Sequence, residues 1–155
     1  MEINIRLAND NDILGLCRIR NNKELFSNYV RQFAKKEVYF AVAEQNGLIL
    51  GFGVLKLKGS LFPKLSDLYV KEEYRGIGIG SELITYRENI AMRFGHREVF
   101  VSVDPIENPK MLKLISKNGY DPISDPYIKK AIYYNVDGST YAKTYTRIDL
   151  KKLLN

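Results

Sequence analysis

The sequence predicts an α/β (α+β) fold in one domain over residues 1–155, with a central mixed, mostly antiparallel sheet of about seven strands and helices on both faces. Three observations carry that expectation. Short stretches of alternating apolar residues are interleaved with stretches whose apolar residues follow the helical period. Two dipeptides that favour two-residue hairpins, Asn46-Gly47 and Asp137-Gly138, each join strand-like stretches. Residues 65–94 read as a short apolar strand, a turn with glycines at Gly76, Gly78 and Gly80, and a helix with apolar positions at Ile79, Leu83, Ile84, Ile90, Ala91 and Phe94.

Each element has its own signal. Ile3, Ile5 and Leu7 alternate with polar residues and give a first strand. Asn9 to Asp12 supplies N-cap candidates ahead of Ile13, Leu14 and Cys17, so a short helix follows, with Cys17 as a small core residue. Leu25, Phe26, Tyr29, Val30 and Phe33 mark a second helical face. Residues 38–42 and 48–55 are strands two and three around Asn46-Gly47. Gly59, Ser60 and Pro63 break the pattern before strand four begins near Leu65. Gly95 stands where a glycine past a helix end belongs, and residues 99–103 form strand five. Asn108 is a candidate N-cap, and Pro109 takes the first helical position, where its missing N–H costs nothing. That fourth helix runs to Asn118 and is closed by Gly119. AIYYNV from Ala131 and TYAKTYTRIDL up to Leu150 are strands six and seven.

A strand feeding a glycine-rich turn and then a helix builds an anion site. The first helical N–H groups have no partner within the helix and carry the positive end of its dipole, and glycine lets a phosphate approach the backbone. Spacing decides among glycine-loop families. A P-loop requires Gly-Lys-Ser/Thr, whereas this chain has Gly80-Ser81-Glu82. The dinucleotide fingerprint wants a third glycine five residues after the first, and that position is Ser81. A tight turn in which the glycines only relieve sterics is the plainer alternative.

The segment Arg75-Gly76-Ile77-Gly78-Ile79-Gly80 resembles motif A of the GCN5-related N-acetyltransferases (GNAT family), Arg/Gln-x-x-Gly-x-Gly/Ala, in its strand-loop-helix context. Residues 108–120 resemble the family's motif B, Asn-x-x-Ala-x-x-x-Tyr-x-x-x-Gly-Phe, with one departure: Ile115 stands where the family places its tyrosine. The resemblance covers about residues 64–120. It implies acetyl-CoA as cosubstrate, with its pyrophosphate on backbone N–H groups from Gly76 to Ser81, including Ile77, Gly78, Ile79 and Gly80. It also implies a pantetheine arm laid along strand four at Leu68, Tyr69 and Val70, within a gap between strands four and five. Arg75 is either a phosphate partner or an exposed arginine, and Asn108 either a cofactor contact or a plain N-cap. The first two helices fit the family's substrate-facing wall.

Acyl transfer needs a neutral amine, and Asp67, just before the expected cofactor-bonding residues, is the candidate general base; its alternative is a structural, hydrogen-bonded aspartate. With Ile115 in the tyrosine's place, Tyr127 and Tyr133 are the tail candidates for a general acid, against unaided departure of the thiolate. Phe26, Tyr29, Phe33, Tyr127, Tyr133 and Tyr134 are aromatic candidates for the acceptor pocket, although aromatics more often fill cores.

Composition bounds the alternatives. A single cysteine excludes an internal disulfide, and the single histidine, His96, cannot anchor an ordinary zinc site, so no metal is expected. MEINIRLAND has neither a basic start before an apolar core nor a spanning run, which points to the cytoplasm and away from membranes. The net charge of +6 with pI near 9.3 comes from scattered lysines, and no nucleic-acid motif accompanies it. The leading function is an acetyl-CoA-dependent N-acetyltransferase acting directly on a primary amine of a small molecule or peptide, with a homodimer as an admitted state. A non-catalytic acyl-CoA-binding or regulatory module is the alternative, and a basic nucleic-acid-binding protein a weaker third.

Overall fold

The computed structural model describes residues 2–134 and 137–155; Asn135 and Val136, which end the expected AIYYNV strand, and the side chain of Tyr134 lie outside the described residues. The class is mixed α/β with mostly antiparallel pairing. The elements run β1 (Asn4–Leu7), a 3-10 turn (Asp10–Asp12), α1 (Ile13–Ile19), α2 (Lys23–Ala34), β2 (Val38–Gln45), β3 (Leu48–Lys56), β4 (Lys64–Val70) and a second 3-10 turn (Glu72–Tyr74). There follow α3 (Ile79–Arg93), β5 (Glu98–Val103), α4 (Pro109–Lys117), β6 (Asp121–Pro122), β7 (Tyr127–Tyr134) and β8 (Thr140–Leu153). Two compact units divide the chain, Met1–Phe100 with Leu153–Asn155, and Val101–Lys152. No helix among the described residues is long and apolar enough to cross a membrane.

In the first unit β1, β2, β3 and β4 pair antiparallel in that order. The β2–β3 hairpin forms where Asn46-Gly47 predicts it, with both residues in the left-handed region (φ 51° and 80°) that this tight turn demands. Successive residues of β2 face opposite sides. Phe40 and Val42 join Leu16, Phe26, Tyr29 and Phe52 in a core under α1 and α2. Ala41 and Ala43 join Leu50, Ile79 and Leu83 under α3. Phe26 meets Phe52 edge-on at 5.1 Å between ring centres, and each such fully buried ring contributes about 1.5–3 kcal/mol. The helices therefore lie on both faces of these strands. Asn22 caps α2 by accepting from the Leu25 N–H at 3.1 Å. Cys17 packs against the α1–α2 core.

Along α3 the expected stripe of Ile79, Leu83, Ile84, Ile90 and Ala91 is buried, but Phe94 is 57% exposed and two charged residues, Arg87 and Glu88, are buried instead. The helix ends at Arg93, so Phe94 lies past the last turn, where the helical period no longer directs its side chain inward.

In the second unit α4 begins with Asn108 accepting from the Met111 N–H and Pro109 in the first turn, and Gly119 follows it at φ 95°. β8 pairs with β6 and β7, both antiparallel. The strand expected from Ala131 starts four residues earlier, at Tyr127, because Lys129 and Lys130 project from an exposed ribbon and interrupt the apolar alternation that marks a strand. Asp121 and Pro122 add a strand too short to show a period, which makes eight strands among the described residues.

Candidate active site

The site begins with a defect in β4. Gly53 of β3 pairs with Leu68 and the next residue, Val54, pairs with Ser66, so Asp67 has no partner across the ladder and is the extra residue of a β-bulge. Its φ of 40° places it in the left-handed region, which aspartate tolerates better than most side chains. The bulge turns the carboxylate toward α2, where the Tyr29 hydroxyl donates to Oδ2, while Nη1 of Arg20 lies 3.8 Å from Oδ1. Burial, followed by the hydrogen bond and charge of Asp67, pushes the Tyr29 phenol far above its ordinary value. Tyr29 therefore stays protonated and stays a donor. Asp67 itself remains about a third exposed, with a side-chain accessibility of 32%.

Beyond the bulge, the ladder geometry sorts the three strand-four residues. The Lys71 N–H donates to the Leu50 carbonyl at 2.7 Å, so in an antiparallel pair the main chain of Tyr69, two residues back, also turns toward β3. A Cβ on Gly51 would fall 2.8 Å from the Tyr69 carbonyl oxygen, which agrees. Leu68 and Val70 turn their N–H and C=O groups away from β3. An extended ligand lying beside β4 would address these two and not Tyr69, which departs from the expected set of three. The Val70 carbonyl already accepts from Nε of Arg75 at 2.7 Å, and the Arg75 guanidinium lies 5.2 Å over the Tyr69 ring. Arg75 is thus folded back on the end of β4.

The turn that follows carries Gly76 at φ 80° and Gly78 at φ 97°, with Gly78 as the N-cap of α3. Gly78 has no side chain to cap the helix, and the first intrahelical bond of this turn runs from the Glu82 N–H to the Gly78 carbonyl at 3.0 Å. The N–H groups of Ile79 and Gly80, at the first two helical positions, precede any helical carbonyl they could bond, and they sum with the helix dipole. A Cβ at Gly76 or Gly78 would meet no protein atom within 4 Å. These glycines therefore do not relieve packing within the protein. They allow the positive φ values and leave open space in front of the N–H groups, with Ile77 exposed at the rim. A diphosphate fits such a cradle.

The second unit holds the remaining candidates. Tyr127 donates to Oδ1 of Asp149 at 2.7 Å, and Ser102 Oγ donates to the same oxygen at 2.6 Å. Burial first, and then Asp149, raise the Tyr127 phenol above its ordinary value, which makes it a weaker acid. Tyr133 stacks on Tyr141 at 5.4 Å and meets Tyr145 edge-on. Ile115 is 2% exposed and serves the core, and the Asn108 side-chain oxygen is engaged as the cap of α4. Of the pocket aromatics, Phe26 is sealed in the core and is not presented to a ligand, while the half-buried Phe33 packs on Tyr39. Arg20 and Tyr29, as partners of Asp67, were not legible from spacing. Arg87 was missed as well, although its place four residues after Leu83 and three before Ile90 puts it on the buried stripe of α3 and could have found it.

The acetyltransferase (GNAT) family profile matches residues 11–120. No curated protein sequence matches the chain. Among solved structures, PaiA N-acetyltransferase from Thermoplasma acidophilum, in complex with coenzyme A, aligns with a TM-score of 0.74 over 99% of each chain at 19% identity. The ribosomal-protein-S18-alanine N-acetyltransferase from Escherichia coli aligns at 0.74 over 99% of this chain and 95% of its own, at 15% identity. IAA acetyltransferase from Bacillus cereus aligns at 0.69 over 99% and 100%, at 20% identity. At such identities the likeness speaks for the fold.

Proposed function

Because this chain belongs to the acetyltransferase (GNAT) family and is an N-acetyltransferase with acetyl-CoA as cosubstrate, we propose that it acetylates a primary amine of a small molecule or peptide directly, with Asp67 receiving the amine's proton. The observation that carries this reading is the sequence of bulge, strand end and glycine-lined helix start within residues 67–81 of one compact unit. The thioester supplies an acyl group already activated toward amines. The N–H groups from Gly76 to Ser81 would hold the diphosphate, and the Leu68 and Val70 backbone the pantetheine arm.

An alkylamine with a pKa near 10.4 costs about 4.6 kcal/mol to neutralise at pH 7, so an acceptor for its proton has a large effect to supply. Asp67 offers a part-exposed carboxylate whose orientation is fixed by Tyr29. Cys17 packs against the core, which favours direct transfer over an acyl-enzyme. A thiol with pKa near 8.5 leaves as an anion at pH 8 for well under about 1 kcal/mol, so departure without a protein acid is consistent with Ile115. We take residues 1–155 to act as one domain in a reducing cytoplasm.

Calorimetry with acetyl-CoA and thiol release across an amine panel test the reading. Micromolar or tighter binding with steady, amine-dependent release is expected. Absence of binding would remove the cradle, and binding without release from any amine would favour a non-catalytic acyl-CoA-binding module.

A further inference from the structure

Arg87 occupies a place on the buried face of α3 where its neighbours are Leu83, Ile84, Ile90 and Ala91, and it is 1% exposed. A guanidinium cannot be deprotonated at ordinary pH, so a chain that buries one must feed its donors with acceptors. Nε donates to the Leu83 carbonyl one turn back at 3.0 Å. Nη1 donates to the Val54 carbonyl at 2.8 Å and to the Ser66 carbonyl at 3.2 Å. Val54 and Ser66 are the pair that closes the register break around Asp67. The residue on the other side of the break, Gly53, has no side chain, and a Cβ there would lie 2.7 Å from Cζ of Arg87. The cation, the glycine and the bulge therefore fit as one arrangement.

A bulge takes main-chain groups out of the ladder, and a buried carbonyl that loses its strand partner needs another donor. A planar, multi-donor guanidinium can serve carbonyls from two strands at once while anchored to its own helix, which no apolar residue and no single-point donor can do. We propose that Arg87 is a positioning residue for acetyl transfer: it clamps β3 and β4 at the bulge, and so holds Asp67 and the outward-turned Leu68 and Val70 in register with the glycine loop at the start of the same helix. The inference rests on the proposed site reading, since it assigns a purpose to the bulge that this site uses.

The test compares Arg87→Met, which keeps length and loses every donor, with Arg87→Lys, and with Ile90→Val as a core control on the same helix. Thiol release at saturating amine and acetyl-CoA gives kcat, affinity for free CoA reads the loop, and amide exchange at Asp67 and Leu68 reads the bulge. Arg87→Met is expected to lower kcat by 10- to 100-fold with CoA affinity changed less than threefold, and to speed those two amides at least tenfold. Arg87→Lys recovers part of the loss, and Ile90→Val leaves kcat and both amides unchanged. If Arg87→Met fails to fold, Gly53→Ala displaces the guanidinium from the other side and is expected to reproduce the loss of kcat. Activity at the control's level in Arg87→Met, or in both Gly53→Ala and Arg87→Lys, overturns the clamp. A parent that releases no thiol with any amine removes the catalytic role together with the proposed function, and unaltered amide exchange would then remove the clamp as well.

Discussion

Asp67 is a single residue on which three constraints meet: a left-handed backbone, a missing ladder partner and a carboxylate shared by Tyr29 and Arg20. Asn is among the few residues that accept the same backbone, so Asp67→Asn removes the charge with little strain. If Asp67 receives the proton, this variant lowers kcat/KM for an alkylamine most near pH 7 and least near pH 10, where neutral amine is already abundant. A pH–rate series on parent and variant checks it; an equal loss at every pH takes Asp67 out of the base role. Tyr127→Phe is expected to change kcat only a few-fold, because its proton is committed to Asp149 and its acidity is weakened, and a loss near 100-fold would instead make it the acid. The sequence offered Asp67 because it sits in a recognisable strand. It could not show the bulge, whose flanking carbonyls accept from Arg87, distant in sequence, nor the phenol bonded to Asp67, 38 residues away.

At the scale of elements, legibility followed locality. The β2–β3 hairpin is specified by two adjacent residues, and the start of α4 by Asn108-Pro109, so both stand where the sequence puts them. β6 has only two residues and exists because β8 runs past it, which no local pattern records. The glycine loop is intermediate: its residues were legible, but the open space before its N–H groups and the backward fold of Arg75 are tertiary facts. Because Gly78 sits at φ 97°, any side chain there carries backbone strain, and a single charged substitution would confound strain with repulsion. Gly78→Asn and Gly78→Asp separate the two, being nearly isosteric and alike in tolerating left-handed backbone. Titration with acetyl-CoA is expected to show Gly78→Asp weaker than Gly78→Asn by at least tenfold at equal stability, since a carboxylate repels the diphosphate. Equal affinities would move the diphosphate away from this loop.

For the molecule as a whole the charge balance, 24 Lys and Arg against 18 Asp and Glu, says little about fold, but it frames the response to acid. As pH falls every carboxylate adds to an existing positive excess, and those bonded in the folded state resist protonation most. Arg6 forms a two-pronged pair with Asp12, at 2.8 and 2.9 Å, and bonds Glu44 at 2.8 Å, joining the end of β1 to the first turn and to β2. Burial pushes Asp12 upward, but the bonds from Arg6 and the Asn9 N–H outweigh it and hold the carboxyl below its ordinary 3.8. Arg6, and then the Asn4 amide after a smaller effect of burial, hold Glu44 below 4.5. Both folded values lie under the unfolded ones, so this network contributes its full stability above the unfolded values and loses it as pH drops through the folded ones. Arg6→Met removes the shared cation at similar side-chain length. General acid repulsion acts on parent and variant alike, so the difference in their denaturant midpoints isolates the network. That difference is expected to be constant from pH 7 to about 5.5 and to shrink progressively as pH falls below the unfolded values of 4.5 and 3.8. A difference that stays unchanged down to pH 3 would assign the contribution of Arg6 to packing of its stem and not to its two carboxylates.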